Sequence, residues 1–209
     1  MADPSYIGAD GTLTDGDAWI GIASTTLGSD AASVTFTSPN DGSSTDWSQF
    51  MDIIMVSYVR SDRTPNEHDD GYQLNINGDV TATEEQYGSH RFRAASNDNA
   101  YSVFFHVSGN GTSGWLGYIP AADATANVFA SLVTTFFDIN SGKWKSCLTL
   151  DASEKSTLGG SMSGTMELLA TTWKKQAPIT SIRVKPMYGS NLKANSRIDL
   201  FGVLPRMVQ

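Results

Sequence analysis

Gly109 to Gly114 read GNGTSG, a match to the G-x-G-x-x-G pattern that cradles a dinucleotide's pyrophosphate. Such a loop works because its third glycine opens a helix whose amino end faces the phosphates. Here WLGYIPAADAT follows, and both Gly117 and Pro120 oppose a helix. The stretch therefore reads as a hairpin connection, with Asn110-Gly111 supplying the positive φ angles of a tight turn. No nucleotide cofactor is expected. Asn110-Gly111-Thr112 is also a formal glycosylation acceptor, expected to stay unmodified without an export signal.

Glu67-His68-Asp69-Asp70 sets three carboxylates beside an imidazole, donor types that suit a divalent cation. The D-x-[DN]-x-[DN]-G spacing of a calcium loop is absent, and neighbours in an extended chain point apart. A solvated loop between strands is the expectation, with no metal. The acidic run from Asp10 to Asp17 matches no cage spacing either.

Nucleophilic chemistry has few candidates. GGSMSG (159–164) does not fit G-x-S-x-G in any register. Cys147 is the sole cysteine, so neither an intramolecular disulfide nor a second thiolate for zinc is available. It falls on a predicted strand, where a buried, inert thiol is expected. The imidazoles are His68, His90 and His106, the last alternating outward from its strand. Glu84-Glu85 near His90 could pair as acid and base, but nothing in the sequence places them across a cleft. No set of residues forms an active site, and no enzymatic activity is expected.

The elements available to position these groups are short strands. Charged residues make up 17% of the chain, against about 25% in a typical globular domain. Polarity comes instead from 25 Ser and 20 Thr, with 19 Gly, a composition that favours strands and turns over surface helices. Alternating runs lie at 19–27, 32–38, 51–60, 71–78, 101–107, 145–151, 164–173, 179–186 and 196–203. MDIIMVSYVR (51–60) is apolar on both faces, as a mid-sheet strand is. In GYQLNING, Tyr72, Leu74 and Ile76 alternate inward with Gln73 and Asn75 outward. NVFASLVTTFFDI (127–139) has apolar pairs that suit a helical stripe, but Val133, Thr134, Thr135 and its strand neighbours favour a strand. No long amphipathic helix is available for parallel crossovers. The expected architecture is all-β, an antiparallel jelly-roll-like sandwich of about ten strands spanning 19–209, preceded by an extended arm over 1–18. Tyr6, Ile7 and Leu13 are the arm's sizeable apolar groups.

Fourteen Lys and Arg against 22 Asp and Glu give a net charge of −8. Phosphate binding relies on clustered cations, and no basic cluster exceeds Lys174-Lys175, so no nucleic-acid partner is expected. The same sign disfavours acidic membrane surfaces. The opening MADPSYIGADG lacks the basic and apolar regions of a signal peptide, and no apolar run approaches the ~20 residues of a membrane helix. Synthesis in a cytoplasm without export is the expectation. Most aromatics sit in strand runs. Trp47, Tyr87 and Tyr188 fall in predicted loops, where core or satellite packing is the first expectation and stacking on a sugar or a partner protein the alternative.

Several segments together resemble a family of tailed-bacteriophage and prophage virion proteins. WIGIASTTLGSDAASVTFTS is similar to the family's opening pair of strands. RSDR and YQLNINGD resemble its Arg-containing strand end and its hairpin. GWLGYIPAADATANVFAS resembles its "IPGA-x-A-x-A-x-x-F-G-S" segment, and PITSIRVKPMYGSNLKANSRIDLFGV its closing pair. The departures are Ala130 and Asn195 where the family often has glycine, and the Pro39-Asn40-Asp41 loop. The resemblance implies a non-enzymatic β-sandwich component of a virion. One expectation is a capsid decoration (cement) protein that binds the major capsid protein lattice at the capsid surface. It would act as a homo-oligomer, with a trimer suited to lattice three-folds, and Tyr6, Ile7 and Leu13 of the arm would be buried on the lattice. The alternative is a tail or fibre module that binds a host receptor or glycan, with Trp47 or Tyr188 stacking on sugar rings.

Overall fold

Asparagine marks the corners of this chain. The described non-glycine residues with positive φ are Asn40, Asn77, Asn127, Asp138 and Asn195, residue types that tolerate the left-handed region. Each lies between strands. The computed structural model of the protein describes residues 19–64, 69–80, 86–97, 100–154 and 164–204, with 95–97 and 100–110 described as backbone alone.

The strands are β1 (Trp19–Thr26), β2 (Val34–Thr37), β3 (Asp52–Val59), β4 (Asp69–Ile76), β5 (Tyr87–Asn97) and β6 (Ala100–Gly111). They continue as β7 (Gly114–Pro120), β8 (Ala130–Phe137), β9 (Lys145–Glu154), β10 (Gly164–Trp173), β11 (Ser181–Pro186) and β12 (Arg197–Val203). Among the described residues there is one 3-10 turn, Trp47–Gln49, capped by Asp46. The protein is all-β, and every strand pair is antiparallel. The 127–139 run holds strand β8, with Leu132 and Phe136 inward and Val133 and Phe137 outward.

One sheet has the order β1-β12-β3-β8-β9-β10-β5-β6, and the other β2-β11-β4-β7. The set β1-β12-β3-β8 over β2-β11-β4-β7 has the eight-strand connectivity of a jelly roll. Two further strand pairs widen the first sheet. β5–β6 is inserted between β4 and β7, and β9–β10 between β8 and β11. The twelve described strands exceed the expected ten by β5 and β7. β5 reads YGSHRFRAASN, whose inward positions are polar, and β7 reads GWLGYIP, with two glycines and a proline. Neither shows the apolar alternation that marks a strand in sequence.

The core lies between the jelly-roll layers. Ile53, Met55, Leu132, Phe136, Ile198 and Leu200 of the larger sheet meet Leu74, Ile76, Leu116, Ile119, Ile182 and Val184 of the smaller, all buried. Burying side chains of this size stabilises by about 1.5–3 kcal/mol each. Tyr72 crosses the layers to Ser57, its hydroxyl 3.4 Å from the serine Oγ.

The GNGTSG stretch is not a hairpin. β6 pairs only with β5 at one edge of the larger sheet, and β7 pairs with β4 at an edge of the smaller. Residues 111–114 carry the chain across from one layer to the other, and Gly111 does not adopt positive φ. The tight turn is at Asn77-Gly78, with φ of 52° and 67° and a bond from Asp79 N to Ile76 O at 2.9 Å. Asn75 is also not outward. The crossing segment covers it, and its Nδ2 donates to Thr112 O and Ser113 Oγ at 3.0 Å each.

Candidate functional site

The residues with chemical potential serve as cross-links between loops. Asp70 is fully buried and accepts from the backbone N–H groups of Tyr188 and Gly189 at 3.0 and 2.8 Å. Asp62 accepts from Asn191 N and Nδ2 at 2.8 and 2.7 Å. Asp69 lies 3.9 Å from Arg93 Nη2. The two described members of Glu67-His68-Asp69-Asp70 thus point to different partners, and Glu67 and His68 lie outside the described residues. Among the described residues, no group of three or more His, Cys, Asp or Glu is placed to hold a metal ion.

Arg60 is the hub of this region. It directly follows β3 and is buried, and its guanidinium donates to four backbone carbonyls. Nη1 reaches Thr125 O and Val128 O, and Nη2 reaches Ala122 O and Ala124 O. Burial lowers its pKa from the usual arginine value. Around it, Ser61 N bonds Pro120 O, Ala122 N bonds Arg63 O, and Lys193 N bonds Arg60 O. Leu192 bridges to both Ala31 and Ser61. Four segments remote in sequence, near 31, 60–63, 120–128 and 188–193, therefore share one node. A planar fork with five N–H donors suits it, whereas an ammonium point charge does not.

A second polar cluster lies under the inserted strands. Glu167 of β10 is buried, with Arg93 Nε at 3.2 Å and Arg91 Nη1 at 3.8 Å. Arg93 stacks over the Tyr118 ring at 4.4 Å, and Arg91 lies 5.5 Å from Trp115 and 5.4 Å from Tyr118. Asp151 of β9 accepts from Tyr118 N at 2.8 Å. Hydroxyl pairs continue this layer: Thr134–Thr149 at 2.9 Å, Ser89–Thr171 at 2.8 Å and Ser153–Thr165 at 2.7 Å, each between cross-strand neighbours. The inner face of β9, β10 and β5 is thus largely polar, and its groups bond to β7 and to one another.

The outer face of the same strands is the reverse. Phe92, Leu168, Leu150 and Val133 are cross-strand neighbours in one row over β5, β10, β9 and β8, and all are exposed. Leu148 and Met166 flank that row and are exposed too. This surface was not anticipated. In KSCLTLD and GTMELLATTW both alternating sets contain apolar residues, and periodicity does not say which set faces the second layer.

The other sequence candidates place as follows. Trp47 is 2% exposed within the core, so its ring cannot offer a face to a sugar, contrary to the glycan-stacking expectation. Tyr87 is equally buried, within β5. Its hydroxyl accepts from Ile76 N at 2.8 Å and donates to Asp79 O, and burial raises its pKa. Tyr188 is 60% exposed with the Arg63 guanidinium 4.4 Å from its ring centroid. Cys147 is buried on β9, and burial pushes its thiol up to about 12. His90 is exposed on the outer face of β5. His106 is described as backbone only, in register with Arg91. Tyr6, Ile7, Leu13, His68, Glu84 and Glu85 lie outside the described residues, as do Asp10 to Asp17 and 159–163 of GGSMSG.

Comparison with protein-family models and with curated protein sequences returns no match. Among solved structures the chain is similar to the CBM40 of a Ruminococcus gnavus IT-sialidase bound to α2,3 sialyllactose, with 8% identity and a TM-score of 0.31, covering 89% of this chain and 95% of that one. The same CBM40 in a second structure gives 10% identity and a TM-score of 0.30 over the same shares. Likeness at that level carries no argument about fold or ligand.

Proposed function

We propose that this protein is a non-enzymatic structural component of a tailed-bacteriophage virion, a capsid decoration protein that binds the major capsid protein lattice. The observation that carries the reading is where the resembling segments meet. ASTTLGSDA, RSDR, IPAADATANVF and MYGSNLKAN are far apart in sequence, yet all contribute to the node around Arg60 and Leu192. Motifs that form one physical unit are expected to occur together, so their shared order is more than common strand grammar. Asn195 supports this. It stands where the family often has glycine, and it holds φ at 70°, which asparagine tolerates best after glycine. The described titratable groups that could have formed a catalytic set are engaged as cross-links, which suits a protein that adheres to neighbours.

A second reading, a tail or fibre module binding a host receptor or glycan, draws on the exposed Tyr188 ring backed by Arg63. The two differ in stoichiometry. Quantitative mass spectrometry of purified particles should give a copy number in step with the capsid lattice. Copies matching a tail tip, or absence from the particle, would overturn the decoration reading.

A further inference from the structure

A sandwich normally turns its apolar faces inward, but β9 and β10 turn much of theirs outward. On β9, Lys145, Thr149, Asp151 and Ser153 are buried, whereas Leu148 and Leu150 are exposed. On β10, Thr165, Glu167 and Thr171 are buried, whereas Met166 and Leu168 are exposed. Cys147, Leu169 and Trp173 are the apolar residues these two strands turn inward, while Leu148, Leu150, Met166 and Leu168 are left for a partner on the other side.

We propose that this outer face is a two-fold interface, on which the larger sheet of a second copy of this chain packs face to face. Charge is the first argument. Across β3, β8, β9, β10 and the described side chains of β5, the outward positions hold Asp52 and Glu154 at strand ends, His90, and otherwise only apolar, hydroxyl or glycine residues. Two copies of a chain with net charge −8 can therefore approach through this face without setting carboxylates against one another at its centre. Area is the second argument. At their exposed fractions, Phe92, Val133, Leu148, Leu150, Met166 and Leu168 offer several hundred Å², and Tyr58 and Phe137 at the corners extend the patch. The total is on the order of 800 Å² per copy, the share each partner gives to a stable interface and more than a monomer usually leaves exposed. Shape is the third argument. A regular antiparallel sheet face is matched by another sheet face, with side chains interdigitating as in sandwich packing, and an isologous pair places the same patch on both sides. This inference rests on the face alone and stands whether or not the protein belongs to a virion.

The test is sedimentation equilibrium of the full chain over a wide micromolar range, with Leu150→Lys, Leu168→Thr and the control Val80→Lys, an exposed residue after the Asn77-Gly78 turn that follows β4 of the smaller sheet. The wild type and the control should be dimeric. Leu150→Lys should raise the dimer dissociation constant by roughly a hundredfold or more, since both copies lose a buried leucine. Leu168→Thr, which suits a strand, should raise it by a smaller factor with an unchanged circular dichroism spectrum. A monomeric wild type would overturn the proposal and leave the face to residues 1–18 or to a capsid subunit. A dimer indifferent to both face substitutions would overturn it as well.

Discussion

The Asp151 carboxylate occupies the space that a side chain at residue 117 would need. A Cβ added to Gly117 would collide with Asp151 Oδ2, and Gly117 holds φ at +140°. The aspartate enters there to accept the Tyr118 N–H, which ties edge strand β7 to β9. Gly117→Ala should therefore destabilise through backbone strain of about 1–3 kcal/mol and again through displacement of the carboxylate. Chemical denaturation of Gly117→Ala, Asp151→Ala and the double variant checks this. The double variant should lose less than the sum of the single losses, because the residues share one contact.

Arg60 should be among the least replaceable polar residues. Arg60→Lys keeps the charge but cannot reach four carbonyls on two sides, and a buried carbonyl left without a donor costs about 1–3 kcal/mol. A loss of about 3 kcal/mol or more is expected, a fall in Tm of roughly 6–12 °C for a chain of this size. Differential scanning calorimetry reads it directly.

Asp46 should shape the acid limb of stability. Burial raises its pKa, but hydrogen bonds from Ser48 N, Gly42 N and Ser38 Oγ outweigh that and hold it below the usual aspartate value. Its contribution is complete above the unfolded pKa near 3.9 and is lost as pH falls through the lower folded value. Asp46→Asn should be less stable than the wild type at neutral pH, and the gap should narrow as pH drops below about 4. Thermal melts across pH 2.5 to 7 test the sign.

Cys147 should be silent in the folded protein. Its thiol, buried and pushed up to about 12, should resist a maleimide or disulfide reagent at pH 8 and react completely in denaturant. Rapid stoichiometric labelling under native conditions would contradict its position on the inner face of β9.

Much of the architecture was legible because strand grammar is local. Val34 and Phe36, and Ile182 and Val184, announce their faces by period two, and the doubly apolar β3 announces a mid-sheet strand. β5 and β7 escaped because their inward positions hold Ser89, Arg91 and Arg93, or glycines, and an inward place for such residues depends on partners elsewhere in the chain. Trp47 and Tyr87 sit among loop-like neighbours, which do not say what folds over a ring; the core packing expected first for both is what the structure holds. The sequence by itself determined an all-β sandwich and the positions of ten of its strands. Only the tertiary structure decided that GNGTSG passes between layers and that the inserted strands turn Leu148, Leu150, Met166 and Leu168 outward. The physical reason is that alternation divides a strand into two faces without naming the inner one. Which face is inner depends on where the second sheet stops, and here only its β7 edge reaches beneath the inserted strands.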